Sequence, residues 1–136
     1  MARDAITSDD LSAPDLPFSM AVRGGGLLFF SGQVATDPAT GKLIGGDITQ
    51  QTEQVLRNLA AALAAAGASL ADVLKTTVYV ASADQSDLVA VWEVVHTAFD
   101  PHDAPSTLLG VSVLGYSGQL VEIEAVALAP AASSFG

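Results

Sequence analysis

Residues 47–81 read DITQQTEQVLRNLAAALAAAGASLADVLKTTVYVA, and this stretch decides the fold class. Asp47 with Gln50 three residues on is a helix start of capping-box type. Val55, Leu56, Leu59 and Leu63 recur at helical spacing, and the alanines between them favour helix. Gly67 is the natural C-cap, so the helix spans 48–66. Val73–Ala81 follows, rich in β-branched residues, and reads as a strand.

Upstream, Asp37-Pro38 and Thr40-Gly41 make a turn-rich loop. Leu27–Val34 reads as a strand whose apolar part does not alternate, which predicts burial of both its faces. Gly24-Gly25-Gly26 before it is a hairpin turn. A phosphate loop would open a helix, and here a strand follows. Phe18–Arg23 is the first strand, and residues 1–16, polar and acidic, form a loosely held arm.

Downstream, Ser82–Ser86 is a loop with cap residues. Leu88, Val91, Trp92, Val95 and Phe99 share one helical face, which predicts a second helix over 87–99. Pro101 and Pro105 end it. Ser106–Leu114 is a fourth strand, Gly115–Gly118 a turn, and Gln119–Leu128 a fifth strand, with residues 131–136 as a tail. Ser-Gly-Gln occurs twice, at 31–33 and 117–119, in surroundings too different to make a repeat.

The order β-β-α-β-α-β-β predicts one α+β domain over 1–136, a single sheet with two helices on one face. Strands apolar on both faces are only half covered by two helices. The other face should be buried against a second copy of the chain, so a homo-oligomer is expected.

Charge narrows the function. The chain of 136 residues has 5 Lys+Arg against 15 Asp+Glu, a formal net charge of -10, and no basic residue follows Lys75. Nucleic-acid binding needs clustered cations, and no cluster exists in this sequence. With no cysteine, disulfides, thiolate nucleophiles and thiolate metal sites are excluded. No long apolar run spans a membrane, and Met1-Ala2-Arg3-Asp4 does not open a signal peptide, so a cytoplasmic protein is expected.

Standard chemical motifs are few. There is no Gly-x-x-x-x-Gly-Lys and no Gly-x-Gly-x-x-Gly. His96 and His102, six apart across a helix end, read as surface histidines and not as metal ligands. Glu122 and Glu124 are the pair of interest. They share one face of a strand inside the apolar run Leu120–Val126. They face solvent on an open sheet, or are kept at a cost for function.

Two segments carry a resemblance to a known family: LLFFSGQVATDPATGKLIGGDITQQTEQVLRNLAAALAAAGASLADVLKTTVYV and STLLGVSVLGYSGQLVEIEAVAL. With them the chain resembles the YjgF/RidA family, also labelled endoribonuclease L-PSP or reactive-intermediate imine deaminase, over residues 17–130. The resemblance implies a chorismate-mutase-like fold and a homotrimer with small-molecule clefts between subunits. It also implies hydrolysis of enamines and imines to carbonyl compounds and ammonia, with no cofactor and no metal. Family members hold the substrate carboxylate with an arginine, and a glutamate on the last strand handles the protons.

Carried over by motif, Glu122 is the catalytic candidate. Ser31 and Gly32 match the family's pocket strand, where together they would line the cleft and offer a hydroxyl and a backbone amide. Phe18 falls where the family usually has tyrosine, and Trp92 where active members often have asparagine, although its helical phase also suits the core. Where active members read Pro-Ala-Arg-Thr, this chain reads Ala104-Pro105-Ser106-Thr107, so Ser106 stands at the arginine's place beside Thr107. Losing such a charge-assisted pair typically costs about 2–5 kcal/mol in binding. Two readings follow: an imine or enamine hydrolase of altered substrate range, and a ligand-binding or scaffolding trimer without catalysis. The endoribonuclease label is disfavoured by the charge. Arg23 is a weak candidate for a replacement cation.

Overall fold

In the computed structural model, the described residues are 4–6 and 20–131. The elements are β1 (Asp4–Ile6), β2 (Ala21–Gly24), β3 (Leu27–Gln33), α1 (Ile48–Ala65), β4 (Val73–Val80), α2 (Gln85–Phe99), β5 (Ser106–Gly110) and β6 (Val121–Leu128). One sheet holds all six strands in the order β1-β2-β3-β6-β4-β5. Only β4 and β5 run parallel. The fold is the expected α+β class with one strand more. Asp4–Ile6 lies within the stretch expected as a loose arm, yet its backbone pairs with β2 from Asp4↔Arg23 to Ile6↔Ala21. The rest of that arm, Phe18 and residues 132–136 of the tail fall outside the described residues.

The capping box forms as read. Gln50 N donates to the Asp47 carboxylate at 2.8 Å, and Asp47 N donates to Gln50 Oε1 at 2.9 Å. Gly67, with φ of 79°, turns the chain out of α1. Gly25 and Gly26, both at positive φ, make the tight hairpin between β2 and β3.

The core lies between the helices and one sheet face. Val55, Leu59 and Leu63 of α1 and Val91, Val95 and Phe99 of α2 are buried. Under them lie Leu28 and Phe30 of β3, Val78 and Val80 of β4, and Ile123 and Ala125 of β6. Asn58 of α1 is buried too, and its Nδ2 donates to the carbonyls of Val34 (2.8 Å) and Thr36 (2.9 Å). That clamp fixes the loop leaving β3.

Residues facing away from the helices include Phe29, Lys75, Thr77, Tyr79, Thr107, Leu109, Glu122, Glu124 and Leu128. Within one chain β3 is buried on the helix side alone. Within one chain Phe29 is 45% exposed, because nothing from the same chain covers it. β5 ends at Gly110 and not Leu114, and β6 starts at Val121 and not Gln119. β4 ends at Val80, the partner of Gly110, so nothing holds the next residues extended, and Gln119 is drawn into the preceding turn. No described helix is long and apolar enough to cross a membrane.

Candidate functional site

Glu122 takes its place from β6, where it lies opposite Tyr79 of β4 and beside β3. Between Phe30 and Gln33 the β3–β6 register slips by one residue. This bulge brings Ser31-Gly32 against the Glu122 side chain. Any side chain at position 32 would displace the Glu122 carboxylate. A Cβ built there would stand 2.5 Å from Glu122 Cδ and 2.7 Å from Cγ, and closer still to Oε2. The other carboxylate oxygen, Oε1, accepts from Gln119 Nε2 at 3.0 Å. Neighbouring Glu124 accepts from the Tyr79 hydroxyl. That bond, before burial and the two nearby carboxylates, holds the Tyr79 phenol above its usual pKa of 10.0.

The six candidates among the described residues do not converge within one chain. Ser31, Gly32 and Glu122 form one group. The Ser31 amide (3.0 Å) and hydroxyl (2.9 Å) both donate to the Met20 carbonyl. Only the hydroxyl lone pairs remain for a ligand. Trp92 and Ser106 form a second group on the helix side, around a cavity of about 50 Å³ that Val95, Phe99 and His102 also line. Ser106 Oγ bonds Thr76 Oγ1 at 2.5 Å and the Ala104 carbonyl at 3.0 Å. Thr107 points to the open face and accepts from Lys75 Nζ at 2.6 Å. β4 stands between Ser106 and Glu122, which lie on opposite faces of the sheet.

Of the described cations, Arg23 and Arg57 are committed elsewhere, whereas Lys75 stays on the open face with Thr107. Arg23 Nη2 donates to the Pro130 carbonyl at 2.9 Å, away from both groups. Arg57 bonds Gln54 on the outer surface of α1. His96 meets Asp103 at 3.4 Å, as an exposed residue should. His102 is no simple surface histidine: it is half-buried, and its ring lies 2.8 Å from the Val73 carbonyl. No described group of three or more His, Asp or Glu is placed to hold a metal. A larger groove of about 690 Å³ runs between α1 and α2, lined by Leu56, Arg57, Ala60 and Val94, in the layer opposite Glu122.

The family model described as Endoribonuclease L-PSP matches residues 10–129. The chain belongs to the YjgF/RidA family. A RutC family protein of Pyrococcus horikoshii is 40% identical over 125 residues, covering 92% of this chain and 97% of that one. A mouse protein named 2-iminobutanoate/2-iminopropanoate deaminase is 36% identical, covering 93% of this chain and 91% of that one. Among solved structures, RidA from an Antarctic Psychrobacter is 34% identical, with a TM-score of 0.84 over 92% of this chain and 98% of that one. The α+β architecture with one sheet and two helices is therefore the YjgF/RidA fold.

Gln119 and Gln51 were not among the residues singled out from the sequence, although both touch the Glu122 neighbourhood. The second Ser-Gly-Gln was the available signal: a glutamine that leads into a buried strand.

Proposed function

We propose that the chain hydrolyses an imine, or its enamine tautomer, to a carbonyl compound and ammonia, with Glu122 as the acid–base group. One observation carries this reading. Glu122 is held by a donor at Oε1 and stands over a side-chain-free residue at Oε2, a carboxylate kept ready for proton transfer. Water adds through oxygen to the imine carbon. Glu122 takes a proton from that water and hands it to the nitrogen, which leaves a carbinolamine. Glu122 then takes the hydroxyl proton and gives it to the amino group as the C–N bond breaks. The carbonyl compound and ammonia leave, and the carboxylate is regenerated. The deaminase name of the mouse relative supports the reaction type.

The substrate in this reading lacks a carboxylate. Ser106 carries no charge, and its hydroxyl is already bonded to Thr76 and Ala104. Ser31, Gly32 and Phe18 are the lining on the Glu122 side; Trp92, Ser106 and Thr107 are the lining contributed by a second copy. The assembly is a homotrimer with clefts between subunits. Phe29, Leu109 and Leu128, each more than 40% exposed on the open sheet face, support burial against further copies. Light scattering should return a trimer; a monomer would contradict this part.

A non-catalytic, ligand-binding or scaffolding trimer is the second reading. The committed Ser106 hydroxyl favours it, since nothing at the arginine's place is free to orient a substrate. Cleavage of RNA is disfavoured by the net charge of -10.

The deciding assay follows ammonia and carbonyl release. 2-Iminobutanoate generated in situ should be hydrolysed with little acceleration, and Ser106→Arg should improve it. Rates typical of arginine-bearing relatives in the unmodified chain would overturn the missing-clamp reading. A neutral imine should be turned over by the chain and not by Glu122→Gln. Ligands that bind without any turnover would leave the binding reading in its place.

A further inference from the structure

Gln119 is 4% exposed, and a buried amide is costly unless its hydrogen-bonding groups are used. Its Oε1 accepts from Tyr116 N at 3.1 Å, and its Nε2 donates to Glu122 Oε1 at 3.0 Å and to the Val121 carbonyl at 3.3 Å. The amide has only one sensible orientation. Tyr116 N–H needs an acceptor, so the NH₂ group must face the carboxylate. A second buried glutamine holds the first. Gln51 of α1, 2% exposed, donates through Nε2 to the Gly118 carbonyl at 3.0 Å and accepts from Leu120 N at 2.9 Å. The two contacts bracket residue 119 and fix its backbone against the helix layer.

An amide NH₂ can only donate. While it donates to Oε1, a proton arriving at Glu122 goes preferentially to Oε2, because the carbonyl oxygen of a protonated carboxyl is the better acceptor. Oε2 is the oxygen packed against Gly32, on the sheet face away from the helices. We propose that Gln119 is a positioning residue that reserves Glu122 Oε1 as a hydrogen-bond acceptor and leaves Oε2 as the proton-exchanging oxygen, and that Gln51 holds Gln119 in that pose. The kinetic consequence rests on the reading of Glu122 as the acid–base group; the contact itself does not.

The test has two arms on the full chain. In ¹⁵N-labelled protein, the Gln119 side-chain NH₂ should be slow to exchange, and its resonance should shift in Glu122→Gln. An unchanged resonance would overturn the proposal whether or not the protein has activity. In the second arm, Gln119→Glu keeps the acceptor for Tyr116 N–H and removes the donor, whereas Gln119→Leu removes both. Each should lower kcat for a neutral imine by about tenfold or more and leave KM within about twofold. Combined with Glu122→Gln, neither should lower any residual rate further, because the acid–base group that Gln119 positions is then absent. Additive losses, or a parallel rise in KM with unchanged kcat, would overturn the positioning role and leave the Glu122 reading intact. If the unmodified chain hydrolyses no imine, the Glu122 reading falls, and the amide resonance still decides whether Gln119 holds the carboxylate.

Discussion

Replacing Gly32 with alanine should separate stability from activity at the candidate site. The new Cβ would lie 2.5 Å from Glu122 Cδ. Comfortable carbon contacts begin near ~3.5 Å, so the carboxylate must retreat by about 1 Å. The obstacle is the end of a flexible side chain and not backbone, and Gly32 does not sit at positive φ. Pushing Glu122 off its rotamer costs about 0.5–1.5 kcal/mol. Alanine returns about 0.4–1 kcal/mol by restricting the unfolded chain. The two nearly cancel, and Tm should move by less than about 5 °C. A displacement of about 1 Å at a proton-transferring group costs on the order of 100-fold in rate. Thermal melts and ammonia release on a neutral imine measure the two effects. A Tm loss above about 10 °C would refute the claim that only a side-chain tip must yield. Unchanged turnover would refute the claim that the present placement of Glu122 matters.

Three further outcomes are expected. Asp47→Ala removes the carboxylate that accepts from Gln50 N and should cost about 1 kcal/mol in urea unfolding. Asn58→Ala leaves the Val34 and Thr36 carbonyls without their donor and should cost about 2–4 kcal/mol; a loss under about 1 kcal/mol would show that water replaces it. In a Tyr116→Phe background, absorbance should show Tyr79 ionising above pH 10.0, and Glu124→Gln should bring that titration down. Because the folded phenol holds its proton more tightly than the unfolded one, its stabilising contribution is complete below about pH 10 and is lost as pH rises through the folded value.

Local signals in the sequence located the elements well where two of them agreed. α1 carries a capping box, apolar spacing and Gly67, and its observed span of Ile48–Ala65 differs from the expected one by a single residue. β4 at Val73–Val80 was equally plain from its β-branched run. β1 was not legible, since three residues among polar neighbours become a strand only because β2 offers a free edge. β5 was overextended for a related reason: Val111–Leu114 has strand-like composition, but an edge strand lasts only as long as its neighbour β4. At the site, period-two alternation placed Glu122 and Glu124 on one face. It could not say which face Ser106 takes, because that depends on the pairing of Ser106 with Thr76. Gln119 escaped notice because its importance comes from a contact across a turn, which no periodicity encodes.

The separation of Glu122 from Ser106 by a strand and a sheet face has a consequence for mass action. In the proposed trimer, a ligand that touches both is held by two copies of the chain at once. Its binding then carries the association equilibrium with it. Dilution would weaken apparent affinity without any change in the contacts. A saturating ligand would let the assembly survive to lower protein concentrations. For such a protein, an affinity quoted without a protein concentration is an incomplete number.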